Sequence, residues 1–252
     1  MSSPLYFLSD LHFHIDPTDQ DREKLRRLRP LFERIIQEEA TLYIVGDLFD
    51  FWYEYEYAIP RHHFELLTLL HRLKDTGIEV HYLGGNHDFW IDTFFREDLG
   101  ILVHPDPVEI EREGKKFWIC HGDGVLADDK GYHLLKKILR HPVAIKLFRW
   151  IHPDIGFRIA RKVASTSRKY HDFDIERNRH LLIRVYNEYV QQQFAEGYDY
   201  VILGHLHHPH ISANSNKQIF LNLGDWLYYY SFAKYHENSL NLYYLHEDLS
   251  IN

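Results

Sequence analysis

Five short clusters rich in carboxylates and imidazoles, each placed directly after an apolar run, constrain this chain more than any other feature. They are Asp10-Leu11-His12, Gly46-Asp47 with Asp50, Gly84-Gly85-Asn86-His87-Asp88, His121-Gly122-Asp123, and Gly204-His205-Leu206-His207. The runs before them, Leu5 to Leu8, Leu42 to Val45, Val80 to Leu83, Phe117 to Cys120 and Val201 to Leu203, read as buried strands. In an open α/β sheet ligands bind beyond the carboxyl ends of the strands, so five such ends predict one shared crevice.

The connecting segments fit an α/β alternation. Leu25, Leu28, Leu31, Phe32, Ile35 and Ile36 recur at helical spacing, with Pro30 expected to kink that helix or to start a second one. Phe64, Leu67, Leu70 and Leu73 make another apolar stripe, closed by Gly77 as a C-cap. Nearer the end of the chain, Ile219 to Leu223 and Leu240 to Leu245 read as strands separated by a tyrosine-rich stretch. No repeat, linker or low-complexity tract interrupts the 252 residues, so one domain over 1–252 is expected. The single cysteine, Cys120, excludes an internal disulfide framework and suits a reducing compartment. No apolar run approaches ~18 residues and no signal peptide is evident, so the expectation is a soluble, cytoplasmic protein.

Charge singles out one segment. Residues 130–171 hold eleven of the 29 lysines and arginines but only one of the 37 acids, leaving that segment at +10 and the remainder at −18. Leu134, Leu135, Ile138, Leu139, Val143, Ile145, Leu147, Phe148, Trp150, Ile151, Phe157 and Ile159 are interleaved with the cations. A basic, amphipathic helical insert between the fourth and fifth clusters suits an anionic substrate with apolar parts or an anionic membrane surface, and the plainer alternative is a solvated helix face over core. The acidic remainder argues against a long polyanion, and no nucleic acid is expected as a partner.

The donor types define the chemistry. Aspartate, asparagine and histidine offer hard oxygen and borderline nitrogen ligands, suited to manganese, iron or zinc, and ligating cysteines are lacking. Two such ions about 3.5–4 Å apart can activate a nucleophile and neutralise a phosphoryl group during in-line displacement. Histidines outside the ordered clusters, namely His62, His63, His71, His141, His208 and His210, read as surface or hydrogen-bonded residues. Asp123 is expected to orient a ligand or a loop amide. Trp52, Trp90, the Tyr53-Glu54-Tyr55-Glu56-Tyr57 alternation and Tyr228, Tyr229 and Tyr230 read as packing or edge-strand residues.

The order D-x-H, G-D-x-x-D, G-N-H-D, H-G-D and G-H-x-H, spread from Asp10 to His207, resembles the calcineurin-like metallophosphoesterase superfamily. The resemblance implies a two-sheet β-sandwich flanked by helices, here with a helical cap insertion at about 130–195, and a dinuclear phosphoesterase. It implies one ion held by Asp10, His12, Asp47 and His207 and a second by Asp47, Asn86, His121 and His205, with Asp47 as bridge. His87 would be a non-ligand acting on the transition state or leaving group, oriented by a carboxylate, Asp50 or Asp88. The residues around these elements, especially His121 to Tyr132, resemble the bacterial UDP-2,3-diacylglucosamine pyrophosphatases of lipid A synthesis, although the best-known members of that branch carry arginine where this chain has His87. That branch implies hydrolysis of a nucleotide glycolipid to UMP and 2,3-diacylglucosamine 1-phosphate at the inner-membrane surface, with two divalent ions, manganese for preference, and no obligate protein partner. Asn86, His87, Asp129, Tyr132, Ser165, Ser167, Arg168 and Lys169 would touch substrate. Another metallophosphoesterase acting on a phosphoprotein, cyclic nucleotide or dinucleotide is the alternative, and a non-catalytic scaffold fits least because no ligand is missing.

Overall fold

The computed structural model describes residues 2–91, 93–105, 107–126, 136–139, 141–170, 175–246 and 251, without the side chains of 163–170 and 175–178. Two sheets face each other. The first runs in the order β11-β10-β1-β2-β3-β4 and the second β5-β6-β7-β9-β8. Their strands are β1 (Leu5–Leu8), β2 (Thr41–Val45), β3 (Val80–Leu83), β4 (Leu102–His104), β5 (Val108–Arg112), β6 (Lys115–Cys120), β7 (Tyr200–Leu203), β8 (His210–Ala213), β9 (Ile219–Asn222), β10 (Ser231–His236) and β11 (Ser239–Tyr244).

Alternation along the strands explains the layering. Leu5 and Phe7 of β1, with Tyr43 and Val45 of β2, join Phe117 and Ile119 of β6 and Tyr200 and Ile202 of β7 in the core between the sheets. The intervening Tyr6, Leu8, Leu42 and Ile44 face outward into a second core. Val201, Leu203 and Cys120 form a third on the outside of the second sheet. Strands buried on both faces read as continuous apolar runs, which is why five of them could be recognised. Each fully buried Leu, Ile or Phe here contributes about 1.5–3 kcal/mol of transfer free energy.

The second core is closed by α1 (Asp19–Gln37) and α2 (Phe64–Asp75). Helix α1 starts on a Thr18 capping box: the Asp21 N–H donates to Thr18 Oγ1 and the Thr18 N–H donates to Asp21 Oδ2. It continues through Pro30 as one nineteen-residue helix, so of the two expectations for Pro30 the start of a second helix is corrected. In α2 the buried face is Leu66, Leu67, Leu69, Leu70 and Leu73, and Phe64 points to solvent, displacing the expected stripe by part of a turn. Gly77, at φ 78°, follows the C-cap Thr76 as expected. Another expectation is corrected by β10, which pairs antiparallel with β1 in register Leu5↔Tyr235, so Ser231–His236 within the supposed connector between the last two strands is itself a strand.

Between β6 and β7 the chain forms helices Pro142–Arg149, Pro153–Tyr170 and Ile175–Val185, a π turn Tyr186–Val190 and a short helix Gln191–Ala195. The last three pack on the third core through Leu182, Val185, Val190 and Phe194. The first two lie against the loops after β2 and β3. Tyr53 Oη donates to the Ile145 carbonyl at 2.7 Å, Trp90 Nε1 donates to the Leu139 carbonyl at 2.9 Å, and Phe148 sits among Tyr53, Tyr55, Phe51 and Trp90.

Candidate metal centre

Strands β1, β2 and β3 are parallel neighbours, as are β6 and β7, so the loops after all five open at one end of the sandwich. The backbone there is strained. Asp10, His12, Asp47, His205 and His207 all occupy positive φ, between 47° and 65°, where a side chain costs about 1–2 kcal/mol. Two glycines permit the close approach: a Cβ on Gly85 would strike the Asp47 carboxylate and one on Gly204 would strike Ser9 and Asp10. The Asp10 N–H donates to the Gly46 carbonyl at 3.1 Å and the His12 N–H donates to the Asp47 carbonyl at 2.9 Å, lacing the first two loops together.

Three overlapping sets of donor atoms result, each spanning no more than 4.8 Å: Asp10, His12 and His207; His12, Asp47 and His87; and Asp47, His121 and His205. His207 Nε2 is 3.4 Å and His12 Nε2 3.7 Å from Asp10 Oδ1, while His12 Nε2 is also 3.7 Å from Asp47 Oδ2. On the other side His121 Nε2 lies 3.4 Å from Asp47 Oδ2 and 3.1 Å from Asn86 Oδ1. All seven expected ligands therefore come together, with Asp47 between the two halves. Among the described residues, Asp10 Oδ1 and His12 Nε2 are buried without a hydrogen-bond partner. Orphaned polar atoms aimed into a cluster of hard donors fit divalent cations.

The electrostatics agree. Burial alone would raise Asp10, but the nearby charge of His207 and the His12 imidazole facing it outweigh burial and hold the carboxyl at about 2. Asp47 is likewise buried yet held well below the usual carboxylate range, chiefly by His121. Burial would lower His12, but Asp10 and Asp50 draw its imidazole up to about 10, and Asp47 raises His121 against the same burial. His205, with burial dominant and His121 beside it, falls to about 4. These are carboxylates that stay ionised in a buried pit and pull positive charge toward themselves.

Behind the donors stands a supporting layer. Asp50 Oδ1 is 3.4 Å from His12 Nδ1, Asp225 Oδ2 is 3.2 Å from His207 Nδ1, and His121 Nδ1 pairs with the Val45 carbonyl at 2.9 Å. Ser9 Oγ lies 2.6 Å from Asp10 Oδ2, whose oxygen also accepts the His205 N–H at 2.8 Å. Such partners fix ring orientation and tautomer. Asp225 and Ser9 were not among the expected site residues. The signal for Asp225 was a further Gly-Asp pair, Gly224-Asp225, directly after the run Ile219 to Leu223.

His87 stands at the rim, edge-on to His12 at 4.9 Å between ring centres. Its Nδ1–H donates to the backbone carbonyl of Asp50 at 2.9 Å, and its main-chain N–H donates to Asp47 Oδ1 at 2.9 Å. This corrects the orienting roles assigned to carboxylates: Asp50 aims His87 through its main chain while its carboxylate faces His12, and Asp88 binds the loops. Asp88 accepts N–H groups of Asp47, Leu48, Phe49 and Gly85 and the Tyr82 hydroxyl, and burial with Asp47 nearby raises its carboxyl. Asp129 and Tyr132 lie outside the described residues, as do the side chains of Ser165, Ser167, Arg168 and Lys169 on helix Pro153–Tyr170.

The remaining expectations divide. Asp123 is bound by Lys136, which ties the helical segment to the loop after β6. Trp52 is core, and Trp90 supports the helical segment as described. Tyr53 and Tyr55 pack, whereas Tyr57 and Tyr228 are exposed, and Tyr230 lies under the Arg27 guanidinium at 3.8 Å. His71 pairs with Asp75, His141 caps helix Pro142–Arg149 and His210 packs on Phe220. His208 is partly buried, its Nδ1 without a hydrogen-bond partner among the described residues. His63 departs from expectation: it is buried on Phe49 and Trp52, its Nε2 without a hydrogen-bond partner among the described residues.

Comparison with known proteins gives this geometry a context. The profile of calcineurin-like phosphoesterases matches residues 3–209. The chain is 32% identical to the UDP-2,3-diacylglucosamine hydrolase of Porphyromonas gingivalis, covering 96% of this chain and 97% of that protein. It is 30% identical to the protein of that name from Photorhabdus laumondii, covering 94% and 96%, and 31% identical to that from Neisseria meningitidis serogroup B, covering 88% and 90%. Among solved structures, vacuolar protein sorting 29 from Cryptosporidium parvum shares the fold with a TM-score of 0.50 at 16% identity, over 99% of this chain and 94% of that one.

Proposed function

Since this chain belongs to the calcineurin-like phosphoesterase family and is a metallophosphoesterase, we propose that it hydrolyses the pyrophosphate bond of UDP-2,3-diacylglucosamine, releasing UMP and 2,3-diacylglucosamine 1-phosphate. The carrying observation is the position of Asp47, shared by donor sets on either side, with His87 at the rim. Asp10, His12, Asp47 and His207 would hold one ion, and Asp47, Asn86, His121 and His205 a second, manganese for preference and iron or zinc as alternatives. Such a pair supplies a nucleophile at neutral pH and charge neutralisation at phosphorus. The residues do the rest. Asp47 keeps its charge in the pit, and Asp50 and Asp225 fix the imidazoles of His12 and His207. His87, with Nδ1–H donating to the Asp50 carbonyl, turns Nε2 toward the site, and as the imidazolium it would donate the Nε2 proton to the phosphoryl or leaving oxygen on which charge grows.

Support for the lipid half comes from the names of the relatives and from the helical segment. Ile138, Val143, Leu147, Trp150, Ile155 and Ile159 are exposed among Lys146, Arg149, Arg158 and Arg161, as cations and apolar faces for a diacylated diphosphate would require. The same face suits peripheral contact with the inner-membrane surface, and no helix among the described residues is long and apolar enough to cross a membrane. Asp129, Tyr132, Ser165, Ser167, Arg168 and Lys169 belong to this reading as substrate contacts. The test is hydrolysis by purified protein with manganese of UDP-2,3-diacylglucosamine, bis-p-nitrophenyl phosphate and a phosphopeptide. Turnover of the first is expected. Activity confined to either of the others would replace the lipid substrate with a different phosphoester.

A further inference from the structure

Lys24 of α1 is completely buried, directly behind His12. A lysine is almost never fully buried unless it is paired. Its Nζ donates to the His12 main-chain carbonyl at 2.8 Å, lies 3.4 Å from Asp21 Oδ1 and sits 5.4 Å from the centre of the Phe13 ring. Asp21 in turn is 2.9 Å and 3.0 Å from His14 Nδ1 through its two oxygens, and Oδ1 also accepts the His14 N–H at 3.2 Å. His14 Nε2 lies 3.9 Å from Asp50 Oδ2, and the other Asp50 oxygen lies 3.4 Å from His12 Nδ1. The path therefore leaves the His12 ring, passes through Asp50, His14, Asp21 and Lys24, and returns to the carbonyl of His12 itself.

We infer that Lys24, Asp21 and His14 are positioning residues that set the affinity of one metal site through His12 and leave the other site alone. His12 needs such support because it sits at φ 47°, a conformation a histidine leaves readily, and both its ring and its carbonyl must be held to keep Nε2 aimed at Asp10 and Asp47. The circuit over-determines that residue from both ends. His121, in the opposite half, is held by the Val45 carbonyl, and its support passes through none of these three side chains. The inference rests on the dinuclear reading and adds to it an asymmetry: Asp21 and Lys24 on α1, with His14 in the loop before it, tune one ion of the pair.

The experiment is manganese titration of full-length, chelator-stripped protein, with free Mn2+ followed by electron paramagnetic resonance. Wild type is expected to bind two ions. Lys24→Met, which keeps most of the volume, and His14→Gln, which cuts the path nearer the surface, should each weaken one site about 10- to 100-fold and leave the second unchanged. Their combined loss should be smaller than the product of the separate losses, because both break one path. Circular dichroism checks the fold of each, and should Lys24→Met fail to fold, His14→Gln and Asp21→Asn carry the test. Equal weakening of both sites, unchanged affinities in folded variants, or fully multiplicative losses would overturn the inference while leaving the dinuclear reading intact. Fewer than two ions on wild type would overturn both.

Discussion

The metal pit and the helices between β6 and β7 are built on opposite terms. In the pit Asp10, His12, Asp47 and His121 are buried, the side chains of Ser9, Asp50, Asp88, Asp10 and Asp225 hold Asp10, His12, Asp47, His205 and His207 in turn, and glycines let the loops touch. In helix Pro142–Arg149 none of the residues is buried, and Val143, Leu147 and Trp150 present large apolar surfaces to solvent. That helix meets the rest of the protein through Phe148 and the Tyr53 hydroxyl, and the next is tied by Arg161 to Asp16 at 2.8 Å. The contrast teaches where this protein invests order: atoms that must lie within tenths of an ångström of a reacting phosphorus are over-determined, and a surface suited to flexible chains is left adaptable.

The sharpest break in that contrast is Asp47→Ala. Because both halves of the pit use this carboxylate, the variant should lose both ions and reduce hydrolysis to background, whereas Asp10→Ala should chiefly empty one site. Metal content of the two purified variants decides the matter. Full occupancy with near-normal turnover in Asp47→Ala would sink the shared-ligand arrangement.

Next in size is His87→Ala, which should keep both ions and lose about 10²–10⁴-fold in kcat. Binding should change much less than rate. Stoichiometric loss of metal would make His87 a ligand, and wild-type kcat would end its role in the chemistry.

How much of this contrast could be read from the sequence follows from the same physics. The five ligand strands were legible because each is buried on both faces and ends in a motif, so an apolar run and its donors are contiguous. The helical segment was legible through composition, as eleven cations among exposed aliphatics. What stayed hidden depends on distance along the chain. Asp225 reaches His207 from 18 residues away, across β9, and Lys24 looks like any solvent-facing lysine on an amphipathic helix until its amine is seen under the His12 carbonyl. Strand β10 has no legible signature because Ser231 and Lys234 break its apolar run, although Lys234 is neutralised there by Glu38 at 2.6 Å. Pro30 starts no second helix since α1 packs Leu28, Leu31 and Phe32 around it, burial that outweighs the roughly 3 kcal/mol a mid-helix proline costs.

A smaller effect tests the adaptable side. Leu147→Asn and Trp150→Asn alter side chains that are 66% and 84% exposed, so neither should disturb folding. If this face receives acyl chains or a bilayer, each should lower kcat/KM on vesicle-borne diacylated nucleotide sugar by roughly tenfold, the equivalent of about 1.4 kcal/mol of lost apolar contact. Hydrolysis of bis-p-nitrophenyl phosphate should be unchanged, since that ester has no remote part to bind. Equal losses on both substrates would mean that these helices support the pit after all, and would erase the division of labour drawn here.

The last effect leaves catalysis untouched, is silent at neutral pH and comes from behind the pit. Burial, with His62 adding to it and Asp21 and Asp50 opposing, lowers His63 to about 4, so the folded protein keeps this imidazole neutral against Phe49 and Trp52. In the unfolded chain it takes up a proton below about 6.5. The unfolded state therefore binds more protons as pH falls from 6.5 toward 4, and stability drains across that window by a total on the order of 2–3 kcal/mol. His63→Leu removes the titrating group. Its unfolding free energy should fall less steeply than that of wild type between pH 6.5 and 4, with the two curves parallel above pH 7.5. Urea melts at five pH values would show it, and curves parallel through the whole window would mean that His63 is protonated in the fold, with a partner behind Phe49 supplying the compensating charge.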